Sequence, residues 1–468
     1  MRRAAAVLAV AAAAALGAAA GCGAERADLT GPAMALPRTT AAMLSIDLRA
    51  SGSERDAARA LARALGARDP LHVAGPAARA VAPDAAGLAA LFLVPARDGV
   101  GVNSGAVVET RDPRAALDAA RRVRPLVRAE RRVRGGVVHS GTDPFRALAR
   151  LRDSPTAAAA VDRWVVWGDP RAVRAAVVAA NGLSLGETVA FRRAVEPFRD
   201  GPALVYLDPR ALTGALVARA LAIPGRVGGA LADDLLGVRF ARPVAGRVRL
   251  HEHHVAIETA AEDGCLDTPL ADAGGGPGHA QLVAGMPVYG LAQRQCRPRA
   301  VAPIEVPLDS GRRLDLSRAL GWLQPSRLAL RDGGLSLAAR VRDRAAAWRE
   351  LPRLRSDLAR LRGVRATLTG LRRLDVSAAG HPRVRLVLRP DRALLFVGPA
   401  PGPSRVQAKT TAAYREARGL LGDHRLTALA VRPVRGVEFV AAGAPPHGAA
   451  GRSEGARIII ALRSGPGE

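Results

Sequence analysis

The chain has 468 residues, of which 49% are hydrophobic and only 3% aromatic, and its formal net charge is +27 at pH 7. Such a charge suggests nucleic-acid binding, but Lys409 is the only lysine, the arginines are dispersed, and 14 aromatic residues are too few for a platform of stacked bases. We therefore expect no nucleic-acid partner, and expect the charge to favour anionic lipid headgroups or acidic envelope polymers.

The first 21 residues have the pattern of a bacterial lipoprotein signal peptide. Arg2 and Arg3 give a positive start, residues 4–16 form an apolar run, and the small residues 19–21 precede Cys22. Signal peptidases cut after small residues of this kind. The pattern predicts export, cleavage before Cys22 and lipidation of its thiol.

The apolar run is a poor permanent anchor, because even when extended to residue 20 it has about seventeen residues, against roughly 20 needed to span a bilayer. Two acyl chains on Cys22 anchor a protein stably, since each buried CH2 contributes about 0.8 kcal/mol. Loss of the leader removes two arginines and no acid, which leaves a net charge of +25. The alternative is a simple secretory signal that is cut elsewhere.

The mature chain is long enough for two domains. We expect a tether over residues 22–36, a first domain over 37–260, a linker over 261–286 and a second domain over 287–468. The linker is assigned because residues 261–280 lose all periodicity and concentrate Gly, Pro and Asp.

The two domains repeat the same order of predicted elements, which suggests an internal duplication. Each has two strands joined by an Arg-Asp-Gly turn, a helix opened by an aspartate, a strand stopped by glycine, a second helix and a closing hairpin. The matched pairs are 90–94 with 327–330, 106–110 with 335–341, 111–116 with 342–347, 162–168 with 391–398, 191–194 with 414–417, and the hairpin 237–241/247–259 with 437–442/456–463.

Short alternating strands with helices between them predict an α+β fold in which mainly antiparallel sheets are covered by helices. The helix over 343–361 shows the apolar spacing most clearly, with Trp348, Leu351 and Leu354 on its buried stripe. Pro352 is expected to kink this helix or restart it. Trp164 and Trp167 are also assigned to the core.

The chain resembles a family of exported, often lipid-anchored proteins of high-GC bacteria, known only as a domain of unknown function. The resemblance depends on residues 35–37 leading into 43–48, and on residues 108–116, 163–168 and 204–208. It covers the first domain well and the second more loosely. It implies export and fold, and it carries no catalytic residue.

Cys265 and Cys296 are the only cysteines besides Cys22. In an exported protein they can form a disulfide, which would stabilise by roughly 3 to 4 kcal/mol for a loop of this length. The alternative is two unrelated thiols.

Residues 251–254, His-Glu-His-His, are the densest group of potential metal ligands. On a strand, His251 and His253 would share one face about 7 Å apart, and a metal would need a third ligand from elsewhere. An exposed basic edge of the closing hairpin is the alternative, and we predict neither a metal nor a cofactor.

Asp47, Asp208 and Glu109 lie at the ends of predicted strands, where catalytic carboxylates and helix caps both occur. The Asp-Pro pairs at residues 112–113 and 208–209 favour capping. We therefore expect a non-enzymatic lipoprotein on the outer face of the cytoplasmic membrane, with a binding or structural role. The alternatives are a carrier of a hydrophobic ligand such as lipid, and a metal-dependent hydrolase.

Overall fold

The structure is a computed structural model. It describes residues 28–47, 81, 84–99, 101–122, 129–133, 136–142, 155–180, 182–199, 203–212, 214–215, 243–251, 254–260, 273–275, 277–278, 280–285, 305–307, 313–315, 322–331, 334–361, 363–370, 372–379, 383–390, 392–398, 407–432, 437–445 and 454–462.

Ten strands form the first half of the described chain. They are β1 (Ala42–Asp47), β2 (Ala85–Pro95), β3 (Val102–Thr110), β4 (Ala129–Val133), β5 (Gly136–Thr142), β6 (Pro155–Val161), β7 (Trp164–Gly168), β8 (Ala203–Leu207), β9 (Val244–Leu250) and β10 (His254–Ala260).

Twelve strands form the second half. They are β11 (Leu282–Gly285), β12 (Glu305–Pro307), β13 (Arg313–Asp315), β14 (Leu323–Arg331), β15 (Gly334–Val341), β16 (Val364–Thr369), β17 (Arg373–Ala378), β18 (Val384–Leu388), β19 (Arg392–Val397), β20 (Arg425–Val431), β21 (Val437–Ala444) and β22 (Glu454–Leu462).

The α-helices whose bounds lie within the described residues are α1 (Pro113–Arg122), α2 (Pro170–Ala179), α3 (Val189–Val195), α4 (Arg344–Ala359) and α5 (Ala412–Leu421). Residues 209–212 are also helical. Four short 3-10 helices cover Gly31–Ala35, Glu196–Phe198, Ala273–Gly275 and Ala408–Thr410.

The strands form one antiparallel sheet of 20 strands, with β12 and β13 paired separately as a hairpin. Its first half runs β4-β5-β6-β7-β3-β2-β1-β8-β9-β10, and β10 pairs with β22. The second half continues β22-β21-β20-β11-β14-β15-β19-β18-β17-β16. The α+β class and the mainly antiparallel sheet predicted from the sequence are confirmed.

The two halves have the same strand order when β12 and β13 are set aside. If the strands of the second half are renumbered 1 to 10 from β11, without β12 and β13, their order from the outer edge to β22 is 4-5-6-7-3-2-1-8-9-10. The strands of the first half have the same order from β4 at the outer edge to β10. The last strand of each half therefore meets its counterpart at the centre of the sheet.

The register divides the side chains of the sheet between two faces, because Cα partners in neighbouring strands point to the same side. The row Ala90, Val107 and Val166 packs against α2, and we call this side the front face. Helices α3 and α5 also pack on the front face. The neighbouring row Val108 and Val165 points the other way and packs against α1. Helix α4 lies on that same back face, over the outer strands of the second half.

Aspartates cap α1 and α4 as predicted. Asp343 Oδ1 accepts a hydrogen bond from the Ala346 N–H at 2.8 Å at the start of α4. Asp112 Oδ1 accepts from the N–H groups of Arg114 and Ala115 at 2.9 and 3.0 Å. These bonds satisfy backbone donors that have no partner inside the helix.

Helix α4 is continuous through Pro352 and differs from its prediction at Trp348. It continues past Pro352 to Ala359, so the proline marks no restart. Ala347 and Leu351 before the proline and Leu354 after it pack the helix against the sheet. Trp348 is not a core residue, because it is 46% exposed and stacks under the Arg344 guanidinium, 4.7 Å from its centre. Trp164, by contrast, is buried as predicted.

The tether and the linker were both predicted to be too long, because each includes residues that belong to the core or to the sheet. Within the predicted tether 22–36, Leu29 and Leu36 are fully buried and belong to the core of the first half. Within the predicted linker 261–286, β11 is an inner strand that pairs with both β14 and β20. Both segments look irregular in sequence because they are short and rich in Gly, Ala and Pro, yet their apolar residues are buried by partners that are distant in sequence.

Candidate functional site

Most of the predicted site residues lie outside the described residues. Cys22, Cys265, Cys296 and His253 are among these, so lipidation, the disulfide and the second histidine ligand stay predictions. Among the residues that the structure describes, no group of three or more His, Cys, Asp or Glu side chains is arranged to hold a metal ion.

His251 lies in the turn between β9 and β10, and the prediction that a strand carries it is wrong. Strand β9 ends at Leu250, which pairs with Val255 across the hairpin. The backbone N–H of His251 donates to the His254 carbonyl at 2.9 Å, and the two imidazole rings stack with their centroids 4.3 Å apart. The turn exposes His251 to solvent.

Two of the three predicted strand-end carboxylates, Asp208 and Glu109, make structural contacts. Asp208 Oδ1 accepts hydrogen bonds from the N–H groups of Arg210 and Ala211 at 3.0 and 3.1 Å, which is the capping predicted for it. Glu109 lies 3.4 Å from the Arg163 guanidinium in an ion pair. Asp47 is buried at the end of β1.

Tyr206 lies two residues before Asp208 on β8 and is buried, with its ring 5.0 Å from that of Phe191. Burial, and to a lesser extent the charge of Asp208, raise the pKa of Tyr206 well above its ordinary value. The phenol therefore stays protonated at neutral pH and is unsuited to accept a proton.

We call the central strand pair β10–β22 and its neighbours β9 and β21 the junction. The junction carries a charged cluster that was not predicted from the sequence. On the front face Arg247, Glu258 and Arg457 lie side by side on β9, β10 and β22. Arg249 Nε makes an ion pair with Glu258 Oε2 at 3.0 Å. The Nε atoms of Arg247 and Arg457 are buried without a hydrogen-bond partner.

The junction cluster has three arginines next to one carboxylate, and Arg249 makes the ion pair with it. This leaves an excess positive charge, and guanidiniums are always protonated donors. The alternation Arg247-Val248-Arg249 was a sequence signal for a strand with one cationic face. No sequence signal indicated that Glu258 on β10 and Arg457 on β22 would lie beside this strand, because the two residues are about 200 positions apart in the chain.

A single buried histidine adjoins the junction. The His424 ring lies with Nε2 3.0 Å from the Gly455 carbonyl of β22, and Arg418 donates a hydrogen bond to the His424 carbonyl. These contacts connect the end of α5 to the central strand pair. Their role is structural, because the ring nitrogen already engages a backbone carbonyl.

The opposite side of the junction is aliphatic. On the back face Val255 pairs with Ile460 and Ile257 with Ile458, and Val248 lies opposite Ile257 on β9. Val248 and Val255 are buried, whereas the three isoleucines keep partial exposure.

A second group of arginines lies near the outer edge of the second half, around Asp375 on β17. The carboxylate receives Arg373 Nε at 2.6 Å, Arg385 Nε at 2.8 Å and Arg383 at 3.2 Å. Partial burial would raise the pKa of Asp375, but the hydrogen bonds from Arg385 and Arg373 and their positive charges outweigh it and lower that pKa. The carboxylate therefore stays ionised well into the acidic range.

No family model, no curated protein and no solved structure matches the chain. Among the described residues, no helix is both long enough and apolar enough to cross a bilayer.

Proposed function

We propose that the chain is a lipid-anchored extracytoplasmic protein with a non-enzymatic binding or structural role in the cell envelope. The observation that carries this proposal is the short distance in sequence between the lipoprotein pattern and the folded body. Only five residues separate Cys22 from Asp28, and the next residue, Leu29, is fully buried. Six extended residues span about 20 Å, so an acylated Cys22 would hold the body at the membrane surface.

The non-enzymatic part of the proposal is supported by the side chains at the described clusters. Asp208 and Glu109, the carboxylates at predicted catalytic positions, are engaged as a cap and as an ion-pair partner. The junction and the Asp375 group present guanidiniums, which bind anions through paired N–H donors but cannot exchange protons at neutral pH. Such groups favour binding over catalysis.

The proposal includes the internal duplication of the chain. The identical order of ten strands in each half supports it, as does the pairing of β10 with β22. The sequence matches fall on equivalent strands, since residues 106–110 lie in β3 and residues 335–341 in β15.

Acylation of Cys22 is tested by growing the producing cells with an alkyne-labelled fatty acid and recovering the protein. We expect label on the wild-type chain and on Cys265→Ser, which is the matched control, and none on Cys22→Ser. The Cys22→Ser protein should also leave the membrane fraction. Label that persists on Cys22→Ser, or a native protein from the cytosol that starts at Met1, contradicts the proposal.

A second candidate function is a carrier of a hydrophobic ligand, and the back face of the junction favours it. Ile257, Ile458 and Ile460 form a partly exposed aliphatic strip there. Native mass spectrometry of protein purified without detergent should then show bound lipid that is lost in Ile257→Asn/Ile458→Asn. Val189→Asn, at a residue 74% exposed on α3, is the control that should retain it; absence of lipid from the wild-type protein excludes this candidate.

A further inference from the structure

The two halves differ in what covers their front face at the outer strands. In the first half α2 packs on β3, β6 and β7, and buries Val107, Val166 and Ala159. In the second half the chain from β19 to α5 has 14 residues, against 20 from β7 to α3. Among its described residues only the 3-10 helix Ala408–Thr410 occurs there. On the equivalent strands β15 and β19 and at the end of β18, the arginines on this face are exposed, and the other front side chains, such as Leu394 and Phe396, are half-buried.

Three arginines lie side by side at one end of that face. Arg340 on β15 is the Cα partner of Arg392 on β19, and the N–H of Arg389 donates to the Arg392 carbonyl at 2.7 Å across the β18–β19 hairpin. All three side chains are exposed. Neighbouring strands are about 4.8 Å apart, so three positive charges fall within about 10 Å. Like charges directly opposite one another destabilise a sheet.

The same places in the first half hold no arginine. The residues that flank the equivalent hairpin, β6–β7, are Val161 and Trp164, and the partner of Trp164 on β3 is Glu109. Val161 and Trp164 are buried in the front core. The second half therefore has a row of three exposed cations where the first half has two buried apolar residues and a glutamate.

The Asp375 group adds positive charge on the neighbouring strands β17 and β18 of this face. Arg373, Arg383 and Arg385 surround its single carboxylate, which neutralises only one of them. We call the whole set the arginine face. Its members are Arg340, Arg365, Arg373, Arg383, Arg385, Arg389 and Arg392, and Asp375 is the only acidic residue on the front side of β15–β19 among the described residues.

We propose that the arginine face docks on the anionic phospholipid headgroups of the membrane surface. Its charges are spread over five strands, about 20 Å at the usual strand spacing, so a small anion would reach only a few of them whereas an array of phosphates meets all. Arg binds phosphate through paired N–H donors, and each basic residue near an anionic membrane contributes about 1 kcal/mol. This inference rests on the proposed membrane location but not on the acyl anchor.

The test uses the chain from Gly23 to Glu468, which lacks the leader and Cys22 but retains every described residue, so its result is independent of acylation. The protein is sedimented with phosphatidylglycerol vesicles, with phosphatidylcholine vesicles, and with phosphatidylglycerol vesicles at raised salt. The variant is Arg340→Gln/Arg389→Gln/Arg392→Gln. The matched control is Arg349→Gln/Arg353→Gln/Arg355→Gln, which removes the same charge from exposed residues of α4 on the back side of the sheet.

We expect the wild-type chain to bind phosphatidylglycerol, to ignore phosphatidylcholine and to dissociate as salt rises. The variant should lose about 100-fold in partition coefficient, which corresponds to three contacts of about 1 kcal/mol each, and the control less than about 5-fold. Equal losses in variant and control would assign the binding to net charge and overturn the proposal. So would equal binding to both lipids, no binding to either, or variant-sensitive binding to soluble polyphosphate without binding to vesicles.

Discussion

Gly168 ends β7 at a place where only glycine fits. Its φ is +141°, and a Cβ there would overlap the Ser104 carbonyl oxygen and lie 2.6 Å from the Gly105 Cα. These are backbone atoms of the paired strand β3, so they cannot rotate away. The sequence prediction that a glycine stops this strand is confirmed, and its reason is the close approach of two backbones.

Gly168→Ala is expected to destabilise the protein by about 2 to 3 kcal/mol, because it combines backbone strain with this overlap. Gly419, inside α5, is the matched control: a Cβ there meets nothing within 4 Å, so Gly419→Ala should stabilise by about 0.5 to 1 kcal/mol. Urea unfolding followed by circular dichroism measures both changes. A Gly168→Ala protein as stable as the wild type would mean that β3 and β7 do not approach as closely as described.

At the scale of elements, α4 shows which part of an amphipathic pattern is buried. Leu351 is 1% exposed and packs on the strands beneath it, whereas Trp348, three residues earlier, is 46% exposed. The spacing of apolar residues marked both as core, because periodicity alone does not fix the width of the buried stripe. The sheet supplies that limit, since only Ala347, Leu351 and Leu354 are fully buried against it.

Leu351→Ala should therefore cost about 2 to 5 kcal/mol through lost burial and a cavity. Trp348→Ala should cost less than about 1 kcal/mol, mainly from the lost stacking with Arg344. The two variants differ in position by less than one helical turn, so their comparison separates burial from helix propensity. Unfolding midpoints in urea measure the difference in stability. Equal losses of stability in the two variants would mean that Trp348 is buried as well.

Local chemistry was predictable from the sequence, and long-range pairing was not. The caps at Asp112, Asp208 and Asp343 depend on neighbouring residues alone. The burial of Leu29 and the strand Leu282–Gly285 depend on distant partners. For the same reason the candidate clusters were missed, because Glu258 and Arg457 come together only when the sheet is assembled.

At the scale of the whole molecule, the two halves are joined through β10 and β22. Six residue pairs connect these strands, from His254 with Ala461 to Ala260 with Glu454. On the front face Ala256 and Ile459 are partners, and both are fully buried in one core with α5. The core of the second half thus includes a strand of the first, which couples the halves by burial as well as by backbone hydrogen bonds.

The register of this junction is tested with a cysteine pair at Ala256 and Ile459, in a chain from Gly23 in which Cys265 and Cys296 are serine. Antiparallel partners have Cα atoms about 4.5 to 5.5 Å apart, within the range a disulfide spans. Oxidation should therefore remove both free thiols and shift the protein on a non-reducing gel. The control pair, Ala256→Cys with Ile458→Cys, places the second thiol on the back face and should stay reduced, since neighbouring residues of a strand point to opposite sides. A bond in the control and none in the first pair would mean that β22 is shifted by one residue, which would move Arg457 to the back face and separate it from Glu258.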